Sequence, residues 1–174
     1  NLNCIDPTNY CGSILFPTTS VNEGSQAVFT FYINPLLAQT SQRFTITLTG
    51  VLNGQTLTNS VTFGGSPTRQ LALRFGGPGT ASITASITGT TCSITQTGTI
   101  QVVDIPPRVF INSIQPIKVG QSINAAGSIQ ELGFWTRPTL SIVYTGNSTP
   151  IQCTVTALST IATNTQYSFV CPSI

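Results

Sequence analysis

The chain has 174 residues, 40% of them hydrophobic, and only 6% are Asp, Glu, Lys or Arg, against about 25% in an ordinary globular domain. That is enough apolar material for a core, which argues against disorder. The six basic residues behind the net charge of +2 (Arg43, Arg69, Arg74, Arg108, Lys118, Arg137) are too scattered to form the basic stripe that nucleic acid requires. With no His, one Lys and four carboxylates (Asp6, Glu23, Asp104, Glu131), the groups that acid–base and nucleophilic catalysis depend on are nearly absent, and no enzyme and no cofactor are expected.

In place of charge stand 29 Thr and 17 Ser. Acid denaturation mostly reflects protonation of carboxylates paired in the native state, so lowering the pH changes this chain's charge little. Its composition is compatible with an acidic exterior.

Residues 1–17 precede the first regular hairpins and hold Cys4, Cys11 and the apolar run Ile14, Leu15 and Phe16. No basic or apolar leader stands ahead of Asn1, the form expected of a secreted product after processing. From residue 18 to 104, apolar residues alternate with Thr or Ser. The alternating stretches are Ala27–Ile33, Arg43–Thr49, Gln55–Phe63, Arg69–Phe75, Ala81–Thr88 and Cys92–Val103. Period-2 alternation puts one face of a strand in a core and the other in water. Asn22-Glu23-Gly24, Asn53-Gly54, Gly64-Gly65-Ser66-Pro67 and Gly76-Gly77-Pro78-Gly79 supply turns, and Asn-Gly is the strongest of the tight-hairpin signals. Strands at this spacing predict an all-β sandwich. Pro35 to Gln39 has room for one helical turn.

Residues 105–108, which include Pro106-Pro107, read as a stiff linker, since proline donates no ladder hydrogen bond. Residues 109–174 carry a second β-pattern: Val109–Ile114, Lys118–Ile123, Leu140–Tyr144, Ile151–Leu158 and Gln166–Cys171. With about seven strands before the linker and about five after it, two tandem sandwich domains are predicted, the second short of strands. The stretch 127–138, with Leu132, Phe134 and Trp135, fits no clear element; Trp135 is assigned to packing. No apolar run approaches the roughly 20 residues of a membrane helix, so no membrane insertion is expected.

None of the five cysteines forms C-x-x-C, and without His no zinc site is completed. Disulfides are therefore expected, and with them an oxidising compartment. Cys153 and Cys171 fall on the last two predicted strands, as a cross-strand bridge requires. Cys92 is expected to pair with Cys4 or Cys11, leaving one cysteine free or bonded to another chain. Gly76-Gly77-Pro78-Gly79 is followed by a strand pattern, whereas a phosphate-binding loop needs a helix. The four carboxylates, on separate predicted loops or linkers, are too scarce for a carboxylate-rich calcium cage, which leaves carbonyl ligands as the alternative. Asn147-Ser148-Thr149 is a glycosylation sequon in a turn.

Val21-Asn22-Glu23-Gly24-Ser25-Gln26-Ala27-Val28-Phe29 and Ile117-Lys118-Val119-Gly120-Gln121-Ser122-Ile123 resemble the V-x-x-G-x-x-apolar openings of immunoglobulin-like surface modules. That resemblance implies two immunoglobulin-like β-sandwiches in tandem. In composition the whole chain is similar to archaeal surface threads and pili of the donor-strand type, which are secreted, charge-poor and often glycosylated. It lacks the long apolar N-terminal helix of type IV-like pilins. The likeness implies a structural subunit of an extracellular cell-surface filament, a homopolymer of identical subunits with covalent glycans. In it Ile14, Leu15 and Phe16 would belong to a donor strand filling a neighbour's incomplete sheet, the strand-poor second domain being the first choice of recipient. The alternative is an immunoglobulin-like adhesion or glycan-binding module of a secreted or S-layer protein, with Phe134, Trp135 and Tyr144 stacking on sugar rings.

Overall fold

A computed structural model describes residues 10–17, 19–112, 125–143, 148–161 and 164–172, with backbone alone at 158–161 and 164–165. The chain is almost wholly β and divides into two compact units, Asn1–Val103 and Asp104–Ile174.

The first unit contains β1 (Gly12–Leu15), β2 (Ser20–Asn22), β3 (Gln26–Ile33), the single-turn α1 (Pro35–Ala38), β4 (Arg43–Leu52), β5 (Gln55–Gly64), β6 (Thr68–Arg74), β7 (Gly79–Thr88) and β8 (Ser93–Val103). They form a three-stranded sheet, β1-β3-β6, and a five-stranded sheet, β2-β8-β7-β4-β5. All pairings are antiparallel except β2 with β8.

The alternation explains how the sheets meet. Phe29, Phe31 and Ile33 of β3 are buried, as are Phe44, Ile46 and Leu48 of β4 and Ala81, Ile83, Ala85 and Ile87 of β7. Those faces turn toward each other. A Cβ on Gly50 of β4 would lie 2.8 Å from Cδ1 of Leu73 on β6, so glycine there leaves room for the Leu73 side chain where the two sheets approach. At one margin, Asn59 Nδ2 of β5 donates to the Ala72 carbonyl of β6 (3.1 Å) and Arg69 stacks on Phe63, 5.0 Å from the ring centroid. The β4–β5 hairpin turns on Asn53 and Gly54 at φ 49° and 76°, the two left-handed residues of a type I′ turn. Glu23, expected on a loop, follows β2 directly and is buried.

The second unit contains β9 (Arg108–Ile111), β10 (Ala126–Glu131), β11 (Ser141–Ile142), β12 (Ile151–Gln152), β13 (Thr154–Ile161) and β14 (Asn164–Val170). One antiparallel sheet runs β13-β14-β10-β9, and β11 and β12 pair separately. Its core is Ala125, Ile129, Tyr167, Phe169 and Cys171, with Leu140, Ile142, Cys153 and Val155 packed against it. Among the described residues the second layer amounts to two strands of two residues each. Arg108, expected in the linker, opens β9, and β10 occupies the start of the stretch that fitted no element. Ile114, Lys118–Ile123 and Tyr144 lie outside the described residues.

Candidate functional site

β1 fills an edge slot of the first unit. Its four residues pair with β3 from Gly12↔Ile33 to Leu15↔Thr30. Ile14 is 6% exposed and Leu15, one residue on, is 56% exposed, as alternation on a half-buried strand requires. Phe16 enters between the sheets. Its ring meets Phe29 edge-on at 5.2 Å and lies over Gly98 of β8, where a Cβ would come within 3.0 Å of it. The candidate donor residues Ile14, Leu15 and Phe16 thus sit together in the first unit of their own chain, rather than outside its hairpins.

A clasp holds the start of this strand. Asn34 donates from its backbone N–H to the Cys11 carbonyl and from Nδ2 to the Tyr10 carbonyl, both at 2.8 Å. Its Oδ1 accepts from Leu36 N–H at 3.1 Å, capping α1 in the manner that favours Asn at helix starts. Cys11, fully buried, is bonded to Cys92 just ahead of β8, with the Cα atoms 5.3 Å apart. One bond therefore joins the two sheets across the slot.

The second disulfide joins Cys153 to Cys171 with the Cα atoms 4.1 Å apart. The two residues extend the β13–β14 register beyond Thr154↔Val170. Their N–H groups point away from each other, to the carbonyls of Leu140 and Ala125, so they face one another as a non-hydrogen-bonded pair, the closer of the two antiparallel spacings. Two disulfides indicate an oxidising environment. Cys4 and the sequon residue Asn147 lie outside the described residues.

Two surfaces emerge that the sequence did not assign. The first is the β9 edge. Val109, Phe110 and Ile111 are 42%, 53% and 62% exposed, and among the described residues β9 pairs only with β10. Through Ile129↔Val109 and Gly127↔Ile111, Val109 and Ile111 share the face of the buried Ile129, so the apolar face runs on to β9, where these two side chains are exposed. Three successive apolar residues in Val109-Phe110-Ile111 were the available signal, because on a strand they load both faces.

The second is the outward face of the five-stranded sheet. The registers of β5, β4, β7 and β8 align Thr62, Thr45, Thr88 and Ser93 in one row; Ser60, Thr47, Ser86 and Thr95 in the next; then Thr58, Thr49, Thr84 and Thr97; then Thr56, Val51, Ser82 and Thr99. Hydroxyl side chains occupy every position but that of Val51, at spacings of about 4.8 Å across strands and about 6.8 Å along them. Thr45 and Thr62 hydrogen-bond across strands at 2.8 Å, as do Thr47 and Ser60 at 3.1 Å. This grid carries no charged residue.

The hollows beside β1 (lined by Tyr10, Tyr32 and Pro67 among others) and beside β9 (Ile105, Pro106, Arg108, Gln130 and Leu132) measure about 240 and 220 Å³, below the roughly 300–1,000 Å³ of small-molecule sites. Among the described residues no group of three or more His, Cys, Asp or Glu side chains gathers to hold a metal, and no helix is long and apolar enough to cross a membrane. Phe134 and Trp135 meet edge-on at 6.3 Å, with Phe134 39% exposed. The chain matches no protein-family model, and no curated protein matches it in sequence.

Proposed function

We propose that the protein is a structural subunit of an extracellular filament, assembled by exchange of an N-terminal β-strand between identical subunits. The observation that carries this reading is β1: a charge-free edge strand near the start of the chain, whose inward residues Ile14 and Phe16 plug the space between two sheets. A strand so placed is the kind of element that domain swapping trades. Head-to-tail exchange that does not close gives an open polymer, and main-chain pairing with a complementary groove supplies affinity and register. The slot on β3 is complementary to residues 12–16, which supports the first unit, rather than the second, as the recipient. The strand order β1-β3-β6 against β2-β8-β7-β4-β5, with its parallel β2–β8 pair, supports an immunoglobulin-like reading of the first unit. The β9 edge, unpaired on one side among the described residues, is a second place where a strand can add.

Removing residues 1–16 tests the proposal. The truncated chain is expected to stay folded but not polymerise, and a synthetic peptide of residues 1–16 is expected to bind it. Polymerisation of the truncated chain would sink the idea. The pair Phe134 and Trp135 favours the adhesion reading instead; in that case the protein is a monomer, and Trp135→Ala removes binding on a glycan array.

A further inference from the structure

We infer that the Cys11–Cys92 disulfide is the covalent link between successive subunits of the polymer, an inference that rests on the strand-exchange reading above. Among the described residues, the contacts that set Cys11 beside Cys92 belong to the strand and its slot. Gly12 pairs with Ile33 in register. The Tyr10 and Cys11 carbonyls take the two hydrogen bonds of Asn34. Ile14 and Phe16 then seat the strand from the other end. Cys92 lies on the slot side, just before β8 and 8% exposed. A strand donated by a neighbour, held by the same contacts, brings the neighbour's Cys11 to the same place, with the Cα atoms at the same 5.3 Å.

Only the connector between Phe16 and Ser20 decides whether the strand fills its own slot or another's. It is three residues long and contains Pro17, whose fixed φ limits how it can fold back. Short hinges are among the features that invite swapping.

The chemistry balances in either arrangement. Two thiols lose two protons and two electrons and form one S–S bond. The electrons and protons pass to a disulfide oxidant, which is reduced to its dithiol. Nothing in that balance distinguishes one chain from two. Cys153–Cys171 differs, because it closes adjacent strands of one hairpin across a sequence separation of 18, and it stays within the chain.

The test is complementation between two variants in a Cys4→Ser background, which removes the fifth cysteine. One chain carries Cys11→Ser and the other Cys92→Ser. Refolded together under oxidising conditions, they are expected to give a band at twice the single-chain mass on a denaturing gel without reductant. That band should be absent for either variant alone and lost on reduction. Mixed fibres that run only at the single-chain mass would overturn the inference while leaving strand exchange intact. Absence of fibres from the unaltered chain would overturn both. Should the variants not fold, unaltered fibres in SDS without reductant decide the matter. Release of multimers spaced by one chain of 18.3 kDa, collapsing to single chains on reduction, supports the link, and release of single chains without reductant overturns it.

Discussion

The two units of this chain reach stability by different means. Among the described residues the first buries Phe29, Phe31, Phe44, Phe75, Ile46, Leu48, Leu52, Ile83, Ile87 and Ile100 almost completely, whereas the second does so for Phe169 and Ile129. In the first unit two sheets cover each other. In the second, among the described residues, a four-stranded sheet is covered by a pair of two-residue strands, and its apolar face ends at β9 with exposed side chains. A disulfide closing a loop of 18 residues takes about 3 kcal/mol from the denatured ensemble in the chain-entropy account, and one closing 81 residues, the case in which β1 fills the slot of its own chain, about 4.5 kcal/mol. For the well-packed unit that is an addition to a core. For the thin unit it supplements a core that is small among the described residues, as in small domains that bury little apolar surface.

The contrast can be broken in four ways, taken from the largest expected effect down. Phe29→Ala should cost the first unit about 3–5 kcal/mol, the range for emptying a fully packed aromatic site, and leave the second unit's hydrogen-exchange protection unchanged; equal losses in both would show that the units do not fold separately. Replacing Cys153 and Cys171 together by Ala should cost about 3 kcal/mol, all of it in the second unit, whose amides in β10 and β14 would then exchange before those of β4 and β7. The reverse order would contradict the account. Asn34→Ala should cost about 1–2 kcal/mol through the lost cap and the lost clasp on Tyr10. That loss should appear first as faster exchange at Ser13, whose pairing with Tyr32 follows in register from the Asn34–Cys11 hydrogen bond, since the clasp holds the start of β1. Phe110→Lys should change stability by no more than about 0.5 kcal/mol, as exposed substitutions do, yet lower self-association measured by light scattering, because a charge on an open edge blocks strand addition.

The sequence showed the strands of the first unit because their two faces meet different surroundings. Phe44, Ile46 and Leu48 are buried while Thr45, Thr47 and Thr49 between them are partly exposed, so alternation was unambiguous. Asn53-Gly54 likewise announced its hairpin, since few other residues accept two successive left-handed conformations. What alternation leaves open is which strands are neighbours. The parallel pairing of β2 with β8 and the alignment of hydroxyls across β5, β4, β7 and β8 depend on registers between residues far apart in sequence. The place of β1 was hidden for a related reason. Gly12-Ser13-Ile14-Leu15 is short and has a single β-branched residue, and it becomes a strand through contacts with Ile33, Phe29 and Cys92. Two partners for Cys92 were open in the sequence; the structure joins it to Cys11, which the β1 register and the Asn34 clasp bring to it. In the second unit the pattern weakens because fewer faces are buried, and β10 with its central Gly127 under the Phe169 ring carries little alternation of its own.

The central claim is that this chain is built to polymerise by trading its N-terminal strand. Negative-stain electron microscopy of the protein from its native source, before and after boiling in SDS without reductant, tests it most directly. Thin fibres that survive the treatment are the predicted result. A homogeneous population of single chains before treatment would contradict it.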